Sequence, residues 1–380
     1  EYEKALSYFE KSLEFVDGKS ETLGNMSNIY LAQGDYEKAI FYLQIALEHV
    51  EDKATEASIT NNIGVIYRER GDYGTALSYF QNSLALSQKI GDKKGEGSNL
   101  GNIGIVYFEL RNYKEALNNF NKALSIQEEI NDKAGECKTL GNISNVCFVE
   151  GNYEEARANT QKSLALAQEI GDQATEGGAF NSLGEFYRDQ GDYEKALDYL
   201  KKSLDIRQEI GEKTGEATVF NNIGLVHNMQ GDFEDALTNM EKSLFRWQEI
   251  GNKAKEATVL HNISLVYNAQ EDYGTALLYL QKALSIEKGI GDKMGEGRIL
   301  SAMGGIYSAQ GDFENTFPSL QNALLIQQEI GDKGGLCQTH LRIGWFYLRN
   351  NKHQEATKAW VTSYQIAKEI NSVQVLFRLK

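Results

Sequence analysis

Hydrophobic positions along the chain fall into two alternating helical patterns. Leu100, Ile103, Gly104 and Tyr107 lie at i, i+3, i+4 and i+7, which is one face of a 3.6-residue turn. A second stripe follows at Tyr113, Ala116, Leu117, Phe120, Ala123 and Leu124 and runs on through Ile126 and Ile130. The pattern predicts two helices, A and B, of about 15–18 residues, or roughly 25 Å each at 1.5 Å per residue. The pair then recurs. The first position of helix B is Tyr73, Tyr113, Tyr153, Tyr193, Phe233, Tyr273, Phe313 and His353, spaced by forty residues throughout. Two tighter copies precede these at Tyr2 and Tyr36, spaced by 34 and then 37. A fixed period of this size is the signature of a repeat architecture.

The punctuation is equally regular. Helix B ends at I-G-D-K at 90–93, 290–293 and 330–333, with INDK at 130, IGDQ at 170, IGEK at 210, IGNK at 250 and INSV at 370 as variants. Gly suits a left-handed C-terminal cap, and Asn131 and Asn371 are the usual substitute. The following Asp or Asn is a good N-cap for the next helix A. A second turn precedes helix B, as in Gly71-Asp72, Gly151-Asn152, Gly191-Asp192, Gly231-Asp232 and Gly311-Asp312. Small residues mark close packing. Gly64, Gly104, Gly184, Gly224, Gly304 and Gly344 share one helix A slot with Ser27, Ser144 and Ser264. Ala5, Ala39, Ala76, Ala116, Ala156, Ala196, Ala236, Ala276 and Ala356 share one helix B slot.

The L-x-x-I-G-x-x-Y run at 100–107, the G-D-Y turn and the A-x-x-x-F-x-x-A run at 116–123 resemble the tetratricopeptide repeat slot for slot. The forty-residue unit, longer than the usual 34 and without the Pro that often follows helix B, looks like the polarity adaptors of the LGN and Pins type and the tandem arrays of bacterial signalling proteins. The resemblance implies an all-α solenoid, a right-handed superhelix of about nine helix-turn-helix repeats. Its A helices would line a concave groove that binds peptides. Nine A helices and ten B helices make 19. The expected organisation is a single array over 1–380, with shorter repeats at 1–70, regular ones at 71–350, and a last helix B with the start of a truncated helix at 351–380. The pattern opens inside a helix B and stops inside the next helix A at Ser372–Lys380, as a piece of a longer array would.

Charge and composition narrow the function. The 39 basic and 54 acidic residues leave a net charge of −15, which argues against nucleic acid and a basic RNA groove. No apolar run approaches the roughly 18 residues a membrane span needs. Of three cysteines, Cys137 and Cys147 lie on one predicted helix, about 15 Å apart along its axis and too far for a disulfide. Cys147 takes a core slot, and free thiols fit a reducing cytoplasm. His49, His227, His261, His340 and His353 lie in different repeats and never pair at i, i+4, so no metal site is expected. G-E-G at 95–97 and 295–297 follows no strand and makes no nucleotide loop. N-M-S at 25, N-I-S at 142 and N-I-S at 262 recur inside helices and are not read as glycosylation sites. No catalytic set and no cofactor site emerges.

The informative surface is one helix A slot, two before the packing Gly: Asn25, Asn62, Asn102, Asn142, Ser182, Asn222, Asn262, Ala302 and Arg342. Asn offers both a donor and an acceptor. A row of them can hold the backbone of an extended peptide whatever its sequence, or can instead tie each repeat to its neighbour. Gly24, Gly101 and Gly141 lie beside three of these Asn and leave room for a backbone to approach. The slots three, six and seven residues further on vary most, and from them Phe108, Phe148, Leu225 and Met229 are expected to take apolar side chains and Arg68 and Arg188 acidic ones. The Lys/Asn/Arg carboxylate clamp of chaperone-binding relatives is missing, since Ala302 and Gln338 occupy slots it would need near Arg342. The function expected is a non-enzymatic scaffold for a protein or peptide partner. The alternative is the sensor arm of a larger signalling protein, whose partners include other domains of its own chain. Pro318, the single proline, falls inside the helix B that begins at Phe313, either as a tolerated kink or as a hinge.

Overall fold

The computed structural model describes residues 19–32 and 35–370, and its helices group into two compact units, 1–175 and 176–380. The predicted first helix B, with Tyr2 and Ala5, the turn at Val16-Asp17-Gly18, and the last segment at Ser372–Lys380 lie outside the described residues. Among those that are described, eighteen helices and no strands are present. The first unit holds α1 (Lys19–Ala32), α2 (Tyr36–Glu48), α3 (Lys53–Glu69), α4 (Tyr73–Ile90), α5 (Lys93–Glu109), α6 (Tyr113–Glu129), α7 (Lys133–Val149) and α8 (Tyr153–Ile170). The second holds α9 (Gln173–Asp189), α10 (Tyr193–Glu209), α11 (Lys213–Gln230), α12 (Phe233–Ile250), α13 (Lys253–Ala269), α14 (Tyr273–Ile290), α15 (Lys293–Gln310), α16 (Phe313–Glu329), α17 (Lys333–Arg349) and α18 (His353–Glu369). Odd-numbered helices are A and even-numbered ones B. Each unit is all-α and built as a solenoid, in which helices adjacent in sequence pack on one another within the unit.

Most caps work as the sequence implies, although Asn152 and Asp232 open their helices without a side-chain cap bond. Asp52, Asp92, Asp132, Asp292 and Asp332 each accept the backbone N–H three residues on, at 2.8–3.1 Å. Asp35, Asp72, Asp272 and Asp312 do the same for the B helices, at 3.0–3.1 Å. Such a bond satisfies one of the four amides that a helix start leaves open. The turn after helix B takes positive φ at Gly91 (74°), and Asn131 (54°) fills the same role.

The two helices of a repeat lock through the small slot. A Cβ on Gly64 or Gly104 would come within 2.6–2.7 Å of the Phe80 or Phe120 ring, and on Gly184 or Gly304 within 2.6 Å of Leu200 or Leu320. These four partners are fully buried, at no more than 1% exposure. The missing methyl therefore lets one large helix B side chain lie flat on the helix A backbone. Where the slot holds Ser144 the partner shrinks to Thr160, and the two hydroxyls bond at 2.6 Å while Ser144 Oγ also donates to the Ala156 carbonyl.

In five repeats a second size match joins helix B to the next helix A. The helix B slot holding Ser87, Gln127, Arg207, Glu287 and Gln327 points at Gly95, Gly135, Gly215, Gly295 and Gly335, whose missing Cβ atoms vacate the space these side chains fill. Glu287 makes this costly. It is 1% exposed, its Oε2 has no hydrogen-bond partner, and its Oε1 lies 3.5 Å from Arg298 Nη2. Burial first, and then the neighbouring Asp292, pushes its carboxyl up to about 7.

Pro318 sits in the sixth position of α16, and the helix runs through it unbroken. Residues beyond the first turn normally donate to the carbonyl four back, and Pro318 cannot give that bond to Glu314. Thr316, in the slot that is otherwise Ala, is fully buried and turns its hydroxyl back to the Asp312 carbonyl at 2.6 Å.

Two stability changes follow. A carboxyl whose folded pKa is raised destabilises the fold above its unfolded pKa. Wild type should therefore lose stability between about pH 4.5 and 7, by at most about 3 kcal/mol. Glu287→Gln, the residue that two other repeats use in this slot, should remove that loss, so denaturation of the two proteins coincides near pH 4 and separates at pH 7. Coincidence at both pH values would show that Glu287 is ionised at no cost. Pro318→Ser, which restores one helix bond, should stabilise by up to about 3 kcal/mol and slow amide exchange over residues 314–322. Unchanged exchange would mean that the helix has already relaxed around the ring.

Candidate functional site

The asparagine row lies on successive A helices within each unit: Asn25 on α1, Asn62 on α3, Asn102 on α5 and Asn142 on α7 in the first, then Asn222 on α11 and Asn262 on α13 in the second. Its environment differs along the chain. Asn102 Nδ2 donates to Asn61 Oδ1 of the preceding repeat at 3.3 Å, and Asn61 Nδ2 donates onward to Asn99 Oδ1 at 2.7 Å. Asn222 Nδ2 donates to Asn181 Oδ1 at 2.9 Å and to Glu185 Oε1 at 2.7 Å, and Asn181 Nδ2 reaches the same Glu185 oxygen at 2.8 Å. Asn262 Nδ2 donates to Asn221 Oδ1 at 2.8 Å. Three members of the row are thus tied to the repeat before them.

The acceptor is always the residue immediately before the row's member in the previous repeat. For Asn62 and Asn142 that residue is Gly24 or Gly101, which has no side chain to accept. Asn25 and Asn62 are exposed and Asn142 is half-buried. A Cβ built on Gly24, Gly101 or Gly141 would meet nothing within 4 Å, so the backbone there is open to an approaching chain. The open members therefore all lie in the first unit, where Asn102 alone is tied, and Asn222 and Asn262 in the second unit are both tied.

The flanking residues are partly committed. Arg68 is half-buried and pairs with Glu69, and Arg188 pairs with Asp189 at 2.8 Å. Burial raises the Glu109 carboxyl above its ordinary range, against the pull of nearby Arg68. Phe108 packs on Tyr113 and Phe148 on Tyr153, with ring centroids 5.8 and 5.4 Å apart, so both are half-buried walls. Leu225 leans on the core around Met240 and Val259, whereas Met229 is 55% exposed. Beyond the row, burial pushes the His261 imidazole down to about 4, with Arg298 and Arg342 adding to the effect, so it is neutral at pH 7.

Sequence reasoning missed the acceptors Asn61, Asn181 and Asn221. Their signal was present, since they recur one position before the row. Among the described residues no three His, Cys, Asp or Glu side chains gather where they could hold a metal ion, and no helix is long and apolar enough to cross a membrane. All three cysteines are buried free thiols, and burial pushes Cys137 and Cys147 up to about 11.

Comparison with known proteins gives a consistent picture. The tetratricopeptide repeat model matches residues 55–129, 135–209, 175–244 and 215–288, more than half of the chain, and a second model of the same description matches 22–57. No curated protein matches the chain. Among solved structures, a Rap protein complexed with competence and sporulation factor is 14% identical, with a TM-score of 0.63 over 93% of this chain and 97% of its own. Aspartyl phosphate phosphatase F from Bacillus subtilis is 14% identical, with a TM-score of 0.59 over 94% and 96%. A signal transduction ATPase with numerous domains from Pyrococcus horikoshii, carrying a tetratricopeptide repeat sensor, is 20% identical, with a TM-score of 0.57 over 86% of this chain and 50% of its own. At these identities the likeness is one of fold.

Proposed function

The chain belongs to the tetratricopeptide-repeat family, and from that premise we propose that it is a non-enzymatic interaction module whose A helices hold an extended peptide or partner segment. The observation that carries the reading is the pairing of open asparagines with open backbone. Asn62 and Asn142 lack the side-chain acceptor that ties down Asn102, Asn222 and Asn262, and Gly24, Gly101 and Gly141 beside them leave space. An amide left with both donor and acceptor available can bracket a peptide group. In this reading Phe108 and Phe148 wall the sites for apolar side chains, while Leu225, Met229, Arg68 and Arg188 modulate which residues are accepted further along. The three buried thiols suit a reducing compartment, and we place the protein in the cytoplasm. Likeness to a Rap protein whose structure holds a signalling factor is in keeping with a bound partner.

A second reading draws on the Pyrococcus protein, whose repeats are a sensor within a chain about twice as long as the matched region. The same face would then report to an effector domain of its own polypeptide.

The test uses a peptide selected from a displayed library against the wild-type chain. Asn62→Ala combined with Asn142→Ala removes two hydrogen bonds worth about 0.5–1.5 kcal/mol each, so affinity should fall roughly ten- to a hundredfold if the effects add. The melting temperature should hardly move. Asn222→Ala should do the reverse: it strips one donor from Glu185 Oε1 and should lower stability by about 1 kcal/mol. Unchanged affinity in the double variant, together with a lower melting temperature, would assign the whole row to packing.

A further inference from the structure

Four repeats carry the same pair of stacked tyrosines between helix A and helix B. They are Tyr30 on Tyr42, Tyr67 on Tyr79, Tyr187 on Tyr199 and Tyr267 on Tyr279, with centroids 5.2–5.5 Å apart and planes within 15° of parallel. The third described repeat breaks the pattern on one side only. Tyr107 keeps the helix A ring, but the helix B position opposite, forty residues after Tyr79, is Asn119. Asn119 is 9% exposed and folds its amide back onto the Glu115 carbonyl at 2.8 Å. It presents no ring for Tyr107 to stack on.

A cavity of about 570 Å³ lies there, between α4 and α6 with α5 as its floor. Leu84, Leu100 and Ile103 supply an apolar lining around Tyr107, and exposed Gln81 stands at the rim. Gln81 has a counterpart. In the preceding repeat Gln44 lies within hydrogen-bonding reach of the Tyr79 hydroxyl, and Gln44 and Gln81 occupy the same helix B slot of successive repeats. The cleft thus keeps the ring below and the amide beside, and lacks the phenol that both serve elsewhere. Tyr307 with Ser319 and Tyr347 with Ala359 are further such pairs in the sequence, and this cavity is the one over Tyr107.

We infer that this outer cleft is a receptacle for a tyrosine side chain presented by a partner protein, stacked on Tyr107 with its hydroxyl on Gln81. The occupant follows from the fold itself, because the slot is one that the chain fills with its own tyrosine in four other repeats. Stacking an aromatic pair and burying a ring favour the same guest. The cleft lies between B helices and is lined by no member of the asparagine row, so the inference stands independently of the groove reading.

The probe is p-cresol, the tyrosine side-chain analogue, titrated into the full chain and followed by NMR of the Gln81 and Asn119 side-chain amides. A ligand of this size should bind with a dissociation constant in roughly the millimolar range. Asn119→Tyr should fill the cleft from within, raise the melting temperature and weaken p-cresol at least tenfold. Gln81→Ala, an exposed change that leaves the fold intact, should weaken p-cresol severalfold and leave toluene unaffected. Heptapeptides selected on wild type and counter-selected on Asn119→Tyr should share a tyrosine. Absence of amide shifts, equal p-cresol binding by wild type and a folded Asn119→Tyr, identical losses of p-cresol and toluene in Gln81→Ala, or selected peptides without tyrosine would each overturn the assignment.

Discussion

One contact organises the rest: the flat side of a helix B residue against a helix A backbone that has no side chain in the way. A mid-helix Gly costs about 1 kcal/mol relative to Ala. Burying a Phe or Leu contributes about 1.5–3 kcal/mol, more than that cost. Phe80 on Gly64, Phe120 on Gly104 and Leu200 on Gly184 are the same solution in three repeats. Because the contact fixes how near the two helices lie and how each is turned, it also decides which residues of helix A face the next repeat and which face away from helix B. The asparagine row is a by-product of that rotation. A bulkier residue at Gly104 would displace Phe120 and with it the line on which Asn102 meets Asn61.

Given that contact, function can only come from slots that the packing leaves free to vary. The same interface position accepts Ser87, Gln127, Arg207 or Glu287 because the facing Gly adapts it to any of them. Loss of a side chain is as informative as gain. Gly101 in place of an acceptor releases Asn142, and Asn119 in place of a tyrosine leaves Tyr107 without that ring to stack on. The repeat therefore generates its distinctive surfaces by omission from an otherwise complete pattern.

Helices, caps and the small slot were legible in the sequence because each depends on neighbours within a few residues or on a strict forty-residue recurrence. Asp92 capping Gly95 is a local event, and the Leu100, Ile103 and Tyr107 stripe needs only the helical period. The division of the asparagine row was not legible. It depends on a pairing offset by one position between helices 41 residues apart, as in Asn222 with Asn181, and that offset is set by how the helices are turned. Burial of Glu287 was hidden for a related reason, since a charged residue late in a helix B reads as surface until Gly295 is seen to leave it room. The nineteenth helix and the terminal segments fall outside the described residues.

On the proposed function, a partner lies along the A helices and engages the open asparagines of the first unit. The most direct measurement is NMR of the asparagine side-chain amides as a selected peptide is added. The Asn62 and Asn142 amides should shift and become protected from exchange, while Asn222, tied to Asn181 and Glu185, stays unchanged. Perturbations confined to the B helices, with Asn62 and Asn142 silent at saturation, would contradict it.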